Sequence, residues 1–95
     1  MAASFRYMSA LFYILYSASA DRYYIGHTCD HIEERISKHN THHGGFTGKF
    51  RDWELVYREE YTTKELAYTR ERQVKKWKSA RRVRELIHRS EHPDS

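Results

Sequence analysis

Ninety-five residues, 39% of them hydrophobic, make one small domain with room for a single sheet and a few covering helices. The lone cysteine, Cys29, excludes an intramolecular disulfide framework and fits a reducing compartment. The net charge of +4 is mild, but Lys64–Arg89 holds ten Lys/Arg against three acids, a local +7 that leaves about −3 for the remainder. A basic C-terminal half suits a polyanionic partner, although a solvated helix face is an equally ordinary reading of such runs.

Residues 1–10 carry no periodic pattern and read as a flexible lead-in. Arg6, the apolar run and Ala18-Ser19-Ala20 imitate a signal peptide with its cleavage site. The run is short and holds Tyr13 and Tyr16, so a buried strand is the better reading. No stretch reaches the roughly 20 apolar residues of a membrane span, and a cytoplasmic protein is expected. Leu11–Tyr16 is continuous, apolar and rich in β-formers, the pattern of a central strand covered on both faces. Ser17–Asp21 is a turn, and Arg22–Gly26 a second strand paired to the first. Gly26 ends it, and a position without Cβ lets another group approach closely.

Asp30 is placed to cap a helix running to about Asn40, with Glu33 three residues on. On that helix Ile32 and Ile36 form an apolar line, and Arg35 and His39 share another at i, i+4. Thr41–Asp52, with Gly44, Gly45 and Gly48, reads as a flexible loop. Trp53–Tyr61 alternates, placing Trp53, Leu55, Tyr57 and Tyr61 on one face of a third strand. Thr62-Thr63-Lys64-Glu65 fits a capping box opening a helix to about Lys78, whose buried stripe is Leu66, Ala67, Val74 and Trp77. Ser79 caps a last helix with Val83, Leu86 and Ile87 inward. The domain proper is 11–87, and the polar residues 88–95, with the only proline, read as a disordered tail. The order β-β-α-β-α-α describes an α+β fold, a three-stranded antiparallel-type sheet flanked by helices.

One carboxylate is out of place. Glu71, four residues after Ala67 and three before Val74, falls on the buried stripe, where a carboxylate is costly unless paired or bound to a metal. A boundary ion pair explains it as readily as a site does. Arg35 and His39 together offer a planar guanidinium and a second donor, the requirements of phosphate recognition, although surface decoration would place them there too. Tyr13 and Tyr24 fall on the paired strands, where burial of the ring is the plain reading. Cys29-x-His31 and His39-x-x-His42-His43 match no closed four-ligand zinc pattern. There is no phosphate-binding glycine loop, nucleotide fingerprint or Ser/His/Asp arrangement.

Leu11-Phe12-Tyr13 followed by Tyr24-Ile25-Gly26 resembles the paired hallmark of the GIY-YIG nuclease superfamily. The first triplet keeps only its tyrosine and the second is matched in full. The helix Ile32–Asn40 with Arg35 and His39-Asn40 resembles the family's next motif. Arg70-Glu71-Arg72-Gln73-Val74-Lys75-Lys76-Trp77-Lys78-Ser79 resembles a segment of its short stand-alone bacterial members, and the similarity extends to the N-terminal catalytic domain of the excision-repair nuclease. The likeness runs from about Tyr13 to Ile87. Gly26 to Arg35 is one residue longer than in many relatives, which bears on where the helix begins.

The resemblance implies a metal-dependent endonuclease hydrolysing DNA phosphodiester bonds with Mg²⁺ or Mn²⁺. Glu71 would hold the metal and Arg35 the scissile phosphate, with His39 assisting, while Tyr13 and Tyr24 position and polarise the attacking water. His27, which follows Gly26 where some relatives carry lysine, is expected with Lys75 and Lys78 among the nucleic-acid contacts. Structure-biased rather than sequence-specific cleavage is expected, with DNA repair one candidate pathway and a targeting protein a candidate partner. A non-catalytic nucleic-acid-binding module of the same fold is the main alternative; a protein-interaction domain using the basic helices is a second.

Overall fold

Leu11–Tyr16 becomes the middle of a sheet because both of its faces are apolar. In the computed structural model, which describes residues 9–41 and 49–91, this strand, β1 (Ala10–Ser17), lies between β2 (Arg22–Thr28) and β3 (Trp53–Tyr61), antiparallel to each. Three helices complete the order read from the sequence: α1 (Ile32–Asn40), α2 (Lys64–Trp77) and α3 (Ala80–Glu91). Most of the lead-in (1–8), the three loop glycines with His42 and His43, and residues 92–95 of the tail lie outside the described residues. Among the described residues, no helix is long and apolar enough to cross a membrane.

Strand alternation sorts β1 into two cores. Phe12 and Ile14 join Val74 of α2 and Val83 of α3 on one face; Tyr13 and Leu15 join Ile32 of α1 and Trp53 on the other. The sheet is therefore covered by α1 on one side and by α2 and α3 on the other. β3 does not keep one inward face. Its register against β1 shifts between Ile14, opposite Tyr57, and Leu15, opposite Leu55, leaving Val56 as an extra residue. Such a bulge swaps the faces of everything beyond it. Trp53 and Leu55 consequently pack on the α1 side, Tyr57 and Tyr61 on the α2–α3 side.

The starts of α1 and α2 lie about one residue later than the sequence reading. His31, not Asp30, is the N-cap of α1 and makes no side-chain cap bond; the Asp30 amide instead donates to Thr28 Oγ1 at 3.0 Å. At α2 the cap is Thr63, whose hydroxyl accepts from the Leu66 amide at 3.2 Å, so Glu65 sits too early to close a capping box. The α2 stripe centres on Ala67, Glu71 and Val74, spaced i, i+4, i+7, which turns Leu66 outward at 48% exposure. Ser79 does cap α3, accepting from the Arg82 amide at 3.2 Å. α3 continues past Ile87 to Glu91, with His88 and Arg89 in a last turn where basic groups favour the helix dipole.

Beneath α2, Glu59 of β3 gathers the hydroxyls of Tyr57 and Tyr61 and the guanidinium of Arg70, whose Nε donates at 3.1 Å. Burial pushes the Glu59 carboxyl up, but these donors outweigh it and hold the group below its ordinary 4.5. A carboxyl lowered on folding stabilises above its unfolded value, and that contribution disappears as pH falls through the lowered folded value. Glu59→Ala should cost about 1–3 kcal/mol at neutral pH, the range for losing charge-assisted hydrogen bonds. Thermal melts of wild type and Glu59→Gln should converge as pH drops below about 4.5; a constant gap would show that Glu59 is not the titrating group.

Candidate active site

β1 and β2 pair so that Tyr13 faces Gly26. A Cβ built on Gly26 would stand 2.9 Å from both the Tyr13 hydroxyl and Tyr24 Cε2. The missing methyl is what lets the two rings lie across the strand, the close approach expected of this glycine. Tyr13 is fully buried, and its hydroxyl lies 3.1 Å from Nε2 of His39, on the last turn of α1. The Tyr24 and His39 rings meet at 4.4 Å between centroids, tilted by 54°. One turn earlier, Arg35 sets its guanidinium beside the Tyr13 hydroxyl, and its buried Nε has no hydrogen-bond partner among the described residues. Four of the expected residues thus meet on the α1 side of the sheet.

Asn40 holds this arrangement in place, a role the sequence did not disclose. Its side-chain amide donates to the Trp53 carbonyl at 3.0 Å and its oxygen accepts from the Trp53 amide at 2.8 Å. The end of α1, and His39 with it, is thereby fastened to β3. Burial raises the Tyr13 pKa above 10, and the opposing pull of Arg35 does not overcome it. Tyr13 therefore carries its proton at neutral pH, where proximity to Arg35 alone would have favoured phenolate.

Glu71 sits on the opposite side of β2, on α2, nine-tenths buried. Nδ1 of His27 donates to its Oε1 at 2.6 Å, and Lys75 Nζ approaches Oε2 at 2.6 Å. His27, expected among the nucleic-acid contacts, is half-buried, with its ring 5.2 Å from that of Tyr68. No spacing could have revealed this pair, which is separated by 44 positions. Glu71 makes no hydrogen bond to the phenols or to Arg35, but lies near enough for its charge to raise the Tyr13 pKa. The two clusters therefore lie on opposite faces of β2, at the neighbouring positions Gly26 and His27. A shallow groove of about 350 Å³ between β2 and α2 touches the margin of each, lined by Tyr24 from one and by Lys75, the ion-pair partner of Glu71, from the other. A hollow of about 530 Å³ on α3, lined by Arg81, Arg84 and Arg89 among others, touches none of these residues.

Substituting Gly26 tests whether the crossing point matters. Gly26→Ala pushes a methyl into two rings that have little room to yield. A loss of about 1–3 kcal/mol is expected from overpacking, with about a hundredfold loss of any activity that needs the phenols in register. Thermal melts beside rate measurements would check both parts, and unchanged values would show that the rings have room to move.

Residues 9–84 match the family model of the GIY-YIG catalytic domain. The chain belongs to the GIY-YIG family. Neither a curated protein nor a solved structure matches it. Membership identifies the fold as that of a nuclease family, one generally dependent on a divalent metal. Within this GIY-YIG domain the groups present suit such an ion. Glu71 supplies hard carboxylate oxygens, one already oriented by His27 and the other held by a lysine that is 52% exposed and able to swing away. Among the described residues no three His, Cys, Asp or Glu side chains form a metal-binding group. A cation here would rely on Glu71 and keep several waters, the habit of Mg²⁺.

Proposed function

We propose that this domain is a metal-dependent endonuclease that hydrolyses DNA phosphodiester bonds, biased by DNA structure rather than by sequence. The observation that carries the reading is the arrangement around Gly26: a half-buried arginine whose buried Nε has no hydrogen-bond partner among the described residues, set among two phenols and a histidine, with a buried carboxylate across the strand. An unpaired buried donor is expensive, and a phosphate oxygen would satisfy it.

In this reading Arg35 takes the non-bridging oxygens of the scissile phosphate, where negative charge grows as the bond is attacked. Tyr13 and Tyr24 orient the attacking water. Because Tyr13 is protonated, its hydroxyl accepts the water's proton only while passing its own to His39 Nε2, 3.1 Å away. The proton thus moves from water to tyrosine oxygen to imidazole without a free phenolate. His27 orients the Glu71 carboxylate, as partners of metal-bound carboxylates do. Mg²⁺ or Mn²⁺ at Glu71 would supply positive charge to the phosphate and leaving oxygen. Groups of this kind contact backbone, which carries no base information, hence the structural bias and a place for a targeting partner in a pathway such as DNA repair.

The test offers purified protein duplex, single-stranded and branched DNA with Mg²⁺ or Mn²⁺, with Glu71→Gln and Tyr13→Phe alongside. Metal-dependent cleavage lost in both variants supports the proposal. Binding without cleavage on every substrate would make the protein a nucleic-acid-binding module of the same fold.

A further inference from the structure

β2 is an edge strand, and the groove lined by Tyr24 and Lys75 runs beside it, between β2 and the α2–α3 corner. It continues past Tyr24 toward the start of β2 and the corner between α2 and α3. Every charged residue lining it is basic: Arg22, Lys75 and Lys78. From Gly26 to Arg22 the strand runs about 13 Å at ~3.3 Å per residue, more than one nucleotide of backbone.

Lys78 adds a second and independent observation. It is the C-cap of α2 and has left-handed backbone, φ 49° and ψ 41°. That conformation belongs by preference to glycine, because a Cβ crowds the following carbonyl. Only one other described non-glycine residue has positive φ, Asp21 in the β1–β2 turn. Aspartate tolerates that region and here also accepts from the Tyr16 hydroxyl at 2.7 Å. The local gain for the lysine is the modest attraction of its charge to the C-terminal end of α2, which does not require left-handed backbone. A lysine at a glycine position, exposed and beside an all-basic groove, points to a use for its charge.

We propose that this groove holds the DNA backbone on one side of the scissile phosphate, with Lys78 and Arg22 contacting flanking phosphates. The proposal rests on the DNA-cleaving reading and extends it by giving the strand a direction: from the Gly26 site, along the outer edge of β2, to the α2–α3 corner. Lys78 belongs to binding and not to chemistry, and its substitution separates the two roles by sign. Lys78→Gly relieves the left-handed backbone and removes one phosphate contact. The melting temperature is unchanged or higher, while DNA binds more weakly.

Binding of a fluorescein-labelled 20-mer duplex and of its single strand, measured by anisotropy in EDTA over a range of salt, excludes cleavage from the readout. Lys78→Gly and Arg22→Ala should each lower the slope of log affinity against log salt by about 0.9 for duplex and about 0.7 for single strand. Lys78→Asn, which also tolerates the left-handed region, should behave like the glycine variant. Lys64→Ala, at the far end of α2, removes the same charge outside the groove and should leave the slope unaltered. An unchanged slope in Lys78→Gly and Lys78→Asn overturns the proposal. An equal fall in Lys64→Ala overturns it too, since binding would then follow net charge and not the groove. If the slopes behave as expected but no DNA is cut with metal present, the groove stands and the nuclease reading fails.

Discussion

Glu71→Gln is expected to reduce the cleavage rate about a thousandfold or more, the scale at which loss of metal-borne or oxyanion charge stabilisation is felt, without unfolding the protein. The substitution keeps the side chain's size and one acceptor oxygen for the His27 Nδ1 donor at 2.6 Å. It also relieves a nearly buried position of its charge, so the melting temperature should move by only a few degrees. DNA binding in EDTA should be retained, because glutamine removes no cation from the groove. Single-turnover cleavage in Mg²⁺ and in Mn²⁺, with a thermal melt of the same preparation, separates chemistry from folding. Equal rates for wild type and Glu71→Gln would remove the metal from this residue.

Arg35→Ala should lower the rate by about a hundred- to a thousandfold, the range for removing one preorganised donor from developing negative charge. Arg35→Lys should rescue little of it. The guanidinium presents a planar fork that matches two phosphate oxygens, whereas an ammonium is a point charge on a flexible stem. The Arg35 Nε that lacks a partner is the part lysine cannot replace. Loss should fall on the single-turnover rate more than on affinity, since the interaction strengthens as charge builds. A lysine variant cutting at the wild-type rate would reduce Arg35 to general electrostatics.

Much of the candidate site was legible because it is local. Tyr13 lies on a strand read from a continuous apolar run and Tyr24 on the strand paired to it, and their separation is closed by a hairpin. Arg35 and His39 share a helix face by i, i+4 spacing, and Glu71 betrayed itself by standing on a buried stripe, where it is found. What went unread involves partners distant in the chain. The turn of His27 toward Glu71, the clasp of Asn40 on Trp53 and the Glu59–Arg70 pair each need two elements docked in one particular way. The β3 bulge is of the same kind: Trp53–Tyr61 alternates well enough to pass for a strand with one inward face, and only pairing against β1 reveals the extra residue.

Element order, the central place of β1 and the side chains with chemistry to offer all follow from the residues taken in line. Hydrophobic period and capping residues act within a few positions of themselves and can be read there. That four of those groups meet on one side of the sheet and Glu71 on the other is a matter of how the elements dock. Docking also brings the two sets within electrostatic reach across a glycine, and lets burial prevail over a neighbouring arginine at Tyr13. Those outcomes depend on desolvation and on distances between elements, which exist only once the helices have closed over the sheet.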